Sequence, residues 1–103
     1  MGEGSFNEFV REQLAGRPGI ESRRMFGGHG LYRGEVFFGI VFRGRLYFKT
    51  DDRTRPAYEA AGMRMFQPNA KQCLSAYVEV PAAVLENAEL LCEWAGRAGR
   101  CAV

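Results

Sequence analysis

The chain has 103 residues, 47% of them apolar and 25% charged, with a formal charge of +2. That length fits one domain able to bury its own core, and the composition excludes disordered, collagen-like and disulfide-scaffold chains. Fourteen cations against twelve anions is too even a balance for a dedicated nucleic-acid footprint; no apolar run is long enough to span a bilayer and no signal segment opens the chain, so a cytoplasmic protein with no membrane partner is expected.

Ser5-Phe6-Asn7-Glu8 has the serine and the later glutamate of a capping box. Phe6, Phe9, Val10, Gln13 and Leu14 follow at three-and-four spacing. This predicts an amphipathic helix that starts at Ser5 and stops near Ala15, before Gly16 and Pro18-Gly19.

Ile20 to Phe26 reads as a strand, with Ser22, Arg24 and Phe26 facing one way and Arg23 and Met25 the other. Gly27-Gly28-His29-Gly30 interrupts it, which predicts a bulge or a close approach of backbones. Arg33-Gly34 and Arg43-Gly44 each separate two apolar runs and predict tight hairpin turns with glycine in the second place. Between them, alternation puts Val36, Phe38, Ile40 and Phe42 on one face and Phe37, Gly39 and Val41 on the other. A strand apolar on both faces is covered on both, by its own chain or by a partner. Leu46 and Phe48 alternate with Arg45, Tyr47 and Lys49, the pattern of a half-exposed strand. Five of the eight phenylalanines lie between Met25 and Lys49, so this meander is the platform on which the rest packs.

Thr50-Asp51-Asp52-Arg53 is a polar turn. Arg55-Pro56 to Ala61 predicts a short helix with Tyr58 and Ala61 inward and Gly62 as its stop. Met63 to Gln67 is a candidate strand, Pro68 to Lys71 a loop, and Ala76 to Val80 a strand rich in β-branched residues. Pro81 opens a turn of helix through Leu85. Asn87 then caps a last helix from Ala88 to about Ala98, with Leu91, Trp94, Ala95 and Ala98 on one face, Trp94 in the core, and Glu93 and Arg97 as an i,i+4 pair. The expected fold is α+β: an antiparallel meander with helices on it, in the order helix, three or four strands, short helix, one or two strands, helix.

Few residue constellations suggest chemistry. The glycine cluster is followed by more strand and not by a helix N-terminus, so it makes a poor phosphate cradle. His29 is the sole histidine, and a Cys73–His29 dyad is conceivable without a local nucleophile signature. Asp51, Asp52 and Glu59 could collect a cation, though loop carboxylates more often serve helix entry and solubility. Cys73, Cys92 and Cys101 have neither metal-site nor disulfide-framework spacing and read as reduced, partly buried thiols, with Cys101 placed to cross-link chains on oxidation. No catalytic, cofactor-binding or metal-ligating residue is assigned. The arginines are more informative, since twelve of the fourteen cations are arginine. Arg24, Arg33, Arg43 and Arg45, interleaved with Tyr32 and Tyr47, are the candidate interaction residues. On one sheet face they would suit a nucleic-acid backbone with stacked bases; paired with Glu21, Glu35, Asp51, Asp52 and Glu59 they would be an ordinary solvated surface.

Arg24-Met25-Phe26-Gly27-Gly28, Gly30-Leu31-Tyr32, Leu46-Tyr47-Phe48-Lys49-Thr50-Asp51, Tyr58-Glu59-Ala60-Ala61-Gly62, Ala76-Tyr77-Val78-Glu79-Val80-Pro81 and Glu93-Trp94-Ala95 occur in that order. Together, from about Phe6 to Ala98, they resemble the N-terminal domain of the TfoX/Sxy family of bacterial competence regulators. The resemblance implies an α+β domain similar to secretion-chaperone-like folds, without enzymatic activity or cofactor. It also implies a regulatory role alongside the transcription machinery. The chain is expected to be a single such domain over residues 1–103 without the helical C-terminal domain of longer members. It is expected to act through protein contacts, as a homodimer or with another protein, with nucleic-acid binding as the alternative.

Overall fold

The structure, a computed structural model, describes residues 3–25 and 27–102. Helix α1 (Glu3–Gln13) leads into four successive strands, β1 (Ile20–Met25), β2 (Gly28–Arg33), β3 (Val36–Phe42) and β4 (Arg45–Lys49). Helix α2 (Arg55–Ala60), the hairpin of β5 (Met65–Asn69) and β6 (Gln72–Glu79), and helices α3 (Ala82–Leu85) and α4 (Ala88–Cys101) complete the chain. All strands join one antiparallel sheet in the order β1-β2-β3-β4-β6-β5. The α+β class and element order expected from the sequence are therefore present, with four strands in the meander.

The two meander turns differ. At Arg43-Gly44 both residues have positive φ, 50° and 72°, as a type I′ hairpin requires. Arginine accepts that strain there while its guanidinium lies over the Phe42 ring at 5.1 Å. At the other turn β2 runs through Arg33, so the loop is Gly34-Glu35 and only Gly34 has positive φ. Glycine in the first place suits a II′ turn, and the expected Arg33-Gly34 loop is corrected by one residue.

The sheet has two unlike faces. Leu31, Phe38, Val41, Leu46, Phe48, Val78 and Val80 pack with Val10 and Leu14 of α1, Tyr58 of α2, Val84 of α3 and Leu91, Ala95 and Ala98 of α4. Ile40, Tyr47, Phe66 and Tyr77, with Phe37, Phe42 and Ala76, form a second cluster to which, among the described residues, no helix contributes. This division contradicts simple alternation along β3. Leu31 pairs with Gly39 and Tyr32 with Phe37, so Phe38 has no partner on β2. That extra residue is a β-bulge. It carries Phe38 and Val41 to the helix side while Phe37, Ile40 and Phe42 share the other, correcting the expected grouping of Phe38 with Ile40 and Phe42.

The helices also depart from expectation. Helix α1 begins at Glu3, so Ser5 lies in its first turn and not at the N-cap; a capping pair marks a favourable start without preventing one further upstream. Phe9 is 37% exposed and only leans on Phe6, while Asn7 turns inward and its Oδ1 accepts the hydroxyl of Ser22 at 3.1 Å. Ala61 is exposed where it was expected inward, because α2 ends at Ala60 before a full second turn. Trp94 is half-buried, set edge-on against Tyr58. Among the described residues no ion pair joins Glu93 to Arg97. The cap at Asn87 is as expected, its Oδ1 accepting the N–H of Leu90 at 3.1 Å. Asn87→Ala is expected to cost about 1 kcal/mol in chemical denaturation, the worth of one such cap.

Candidate functional site

Strand β2 supplies the reason the helix-free face is aromatic. Gly28, Gly30 and Tyr32 point to it, and the two glycines leave the backbone bare. A methyl group on Gly30 would overlap the Sδ of Met25 and sit 3.0 Å from the rings of both Phe37 and Tyr32. These side chains therefore lie down on the strand itself. The glycine cluster is a place where other groups approach the backbone closely, one of the two outcomes its sequence predicted.

The rings form a connected row. Tyr32 and Phe37 stack with centroids 5.1 Å apart, and Phe37 meets Tyr77 at 5.4 Å. The Tyr77 hydroxyl donates to the carbonyl of Phe37 at 3.5 Å, and burial pushes its pKa up, so it remains a neutral donor. Phe66 crosses from β5 to pack on Phe42 and Tyr47 at 5.4 and 4.9 Å. It gets there because the β5–β6 register jumps between Met65↔Val78 and Phe66↔Leu74, and an irregularity of this kind bends a hairpin. Phe66 thereby buries Tyr47, which alternation alone had left half-exposed, and burial also pushes the Tyr47 hydroxyl pKa up.

Cations close both ends of the row. Arg23 lies 4.2 Å over the Tyr32 ring and Lys49 5.3 Å from the Tyr77 centroid. Arg45 makes both of its contacts to the Glu79 carboxylate, at 2.9 and 3.1 Å, and Arg23 approaches Glu21 at 3.4 Å. The face thus carries Arg23, Arg43, Arg45 and Lys49 against Glu21 and Glu79, a net positive rim around three half-buried rings, Tyr32, Phe37 and Phe42, with Tyr47, Phe66 and Tyr77 buried among them.

Four of the six residues singled out from sequence, Tyr32, Arg43, Arg45 and Tyr47, share this face. Arg24 and Arg33 do not. Arg24 alternates with Arg23 and pairs with His29 on the opposite side, and Arg33 lines a groove with Ile20, Val36 and Phe38 near Gly96. Sequence reasoning missed Arg23, Phe37, Phe42, Lys49 and Tyr77. Of these, Lys49 had a usable signal, its same-face spacing with Arg45 and Tyr47 along one strand.

The other sequence candidates are dispersed. His29 on β2 and Cys73 on β6 are separated by β3 and β4, three strand spacings or about 14 Å. Asp51 uses Oδ1 to accept the backbone N–H groups of Arg53 and Thr54 at 2.9 and 3.1 Å. The Thr54 bond foremost holds its carboxyl below the ordinary value of 3.8. Among the described residues no cluster of metal-ligating side chains forms. The three cysteines are free, but Cys73 is exposed and Cys101 half-buried. Exposure of Cys73 corrects the expectation that all three thiols are partly buried.

The sequence pattern of the TfoX N-terminal domain matches residues 12–102. No curated protein matches the chain.

Proposed function

We propose that this chain, which belongs to the TfoX N-terminal domain family, is a non-enzymatic regulatory module that docks an acidic protein surface on the helix-free face of its sheet. The observation that carries the reading is the aromatic row Tyr32–Phe37–Tyr77, left without a helix above it and ringed by an excess of positive charge. Aromatic and arginine side chains dominate the energetics of protein interfaces. A positive rim favours a partner of opposite sign and disfavours the same face of a second copy. This charge pattern supports a heterologous partner over the homodimer. A role beside the transcription machinery, within the cytoplasm, is consistent with the family resemblance.

Direct nucleic-acid binding is the weaker reading for a physical reason. Arg23 and Lys49 already lie over the ring faces that bases would need, and Arg45 is engaged with Glu79. The separation of His29 from Cys73 argues against the one dyad suggested by the sequence.

Affinity capture from the source cell, with wild type and with Phe37→Glu and Arg23→Glu run in parallel, tests the proposal. The expected result is a captured protein with an acidic contact surface, released by both variants and retained by Arg11→Glu on α1. Retention by all variants, or capture that nuclease treatment abolishes, would refute it. A stable dimer by light scattering that Phe37→Glu dissociates would reassign the face to self-association.

A further inference from the structure

Away from the aromatic face, α2 and the C-terminal half of α4 enclose a cleft of about 420 Å³. Its volume falls in the range of small-ligand sites, about 300–1,000 Å³. Tyr58 and Trp94 meet edge to face at 4.7 Å in its wall, and Arg53, Arg97 and Arg100 also line it. Among the described residues none of these three arginines makes an ion pair.

The helix dipole accounts for part of this. Arg100 lies in the last turn of α4, where a cation is favoured. It does not account for Arg53, which reaches the cleft from the loop before α2. The one acid present, Asp51, has its Oδ1 committed to the backbone of Arg53 and Thr54. Cys101 is held near Thr54 Oγ1 at 3.7 Å. Burial pushes its thiol up, so it stays neutral and sets no charge against an anion. Among the described residues, three guanidiniums against one carboxylate leave a net charge of +2 in the cleft. That matches the charge of a phosphate monoester near neutral pH, about −1.5 to −2.

We infer that this cleft binds a phosphate monoester carried on a flat ring, the chemistry of a nucleoside monophosphate. The guanidiniums of Arg53, Arg97 and Arg100 hold the phosphate oxygens, a geometry arginine suits. The half-buried indole of Trp94 offers the ring an apolar surface, with Arg97 beside it. The site is separate from the sheet face, and the two readings stand or fall independently.

Trp94 is the sole tryptophan, so its fluorescence reports occupancy directly. The probes are adenosine 5′-monophosphate, adenosine and inorganic phosphate, titrated into the intact chain. Saturable quenching by the monophosphate is expected, with adenosine and phosphate each at least about tenfold weaker, since each lacks half of the contacts. Arg97→Gln/Arg100→Gln is expected to weaken the monophosphate by about tenfold or more, while Arg23→Gln on the sheet leaves it unchanged. Far-ultraviolet circular dichroism verifies that the variants remain folded, and Arg53→Gln repeats the test from a different element. Absence of saturable quenching, adenosine binding as tightly as its monophosphate, or an unchanged titration in the arginine variants would each overturn the inference.

Discussion

Phe48→Ala is expected to lower the free energy of unfolding by about 3–5 kcal/mol, the range for emptying a buried phenylalanine site. Phe48 is wholly buried on β4. It pairs with Gly39 on one side and Val78 on the other, and its ring lies 5.8 Å from that of Phe38. Both neighbouring strands and the helices above are already in contact, so the cavity has little room to collapse. A domain of this size holds about 5–15 kcal/mol in total, and the substitution would remove a large part of it. Urea denaturation should show a lower midpoint with an unchanged slope. Phe9→Ala supplies the contrast, because that ring is 37% exposed and should cost under about 1 kcal/mol. Equal losses at the two positions would mean that the helix-side core is wrongly placed.

Gly28→Ala should also be severe although it adds only one methyl group. The new carbon would overlap the carbonyl oxygen of Val41 and lie 3.2 Å from the Phe42 ring and 3.3 Å from its Cα. Two of those three obstacles are backbone atoms, which cannot rotate away. Strand β2 would have to lift off β3, so a loss at or above the upper end of the usual overpacking range, about 1–3 kcal/mol, is expected. Thermal melting measures the loss, and hydrogen exchange should localise it to the β2–β3 amides. Gly30→Ala should be milder, since what it meets are the Met25 thioether and the ring edges of Phe37 and Tyr32. Its effect should fall on partner binding more than on stability. An unchanged melting temperature for Gly28→Ala would show that the two strands are not in such close contact.

These two substitutions mark where the amino-acid sequence was legible. Phe48 was readable as core because Leu46 and Phe48 alternate with Arg45, Tyr47 and Lys49, and alternation is a property of the strand alone. The β2–β3 pairing was not. The unpartnered Phe38 exists only because Leu31 meets Gly39 while Tyr32 meets Phe37, and no residue of β3 announces that choice. One extra residue exchanges the faces of everything beyond it. For that reason Ile40 and Phe42 changed sides relative to Phe38.

The arginines follow the same logic. Their abundance was plain, but an arginine is defined functionally by its partner, and the partners lie far along the chain. Arg45 meets Glu79 and is neutralised; Arg23 lies over Tyr32; Arg53 joins Arg97 and Arg100 in one cleft. Sequence alone determined the α+β class, the element order, the Asn87 cap and the tight Arg43-Gly44 turn, because each rests on contacts within a few residues or on strand and helix periodicity. Tertiary structure alone decided which rings face outward, which cations are free and where the cleft opens. Those depend on strand register and on helices packing across the sheet, between residues the chain order keeps apart.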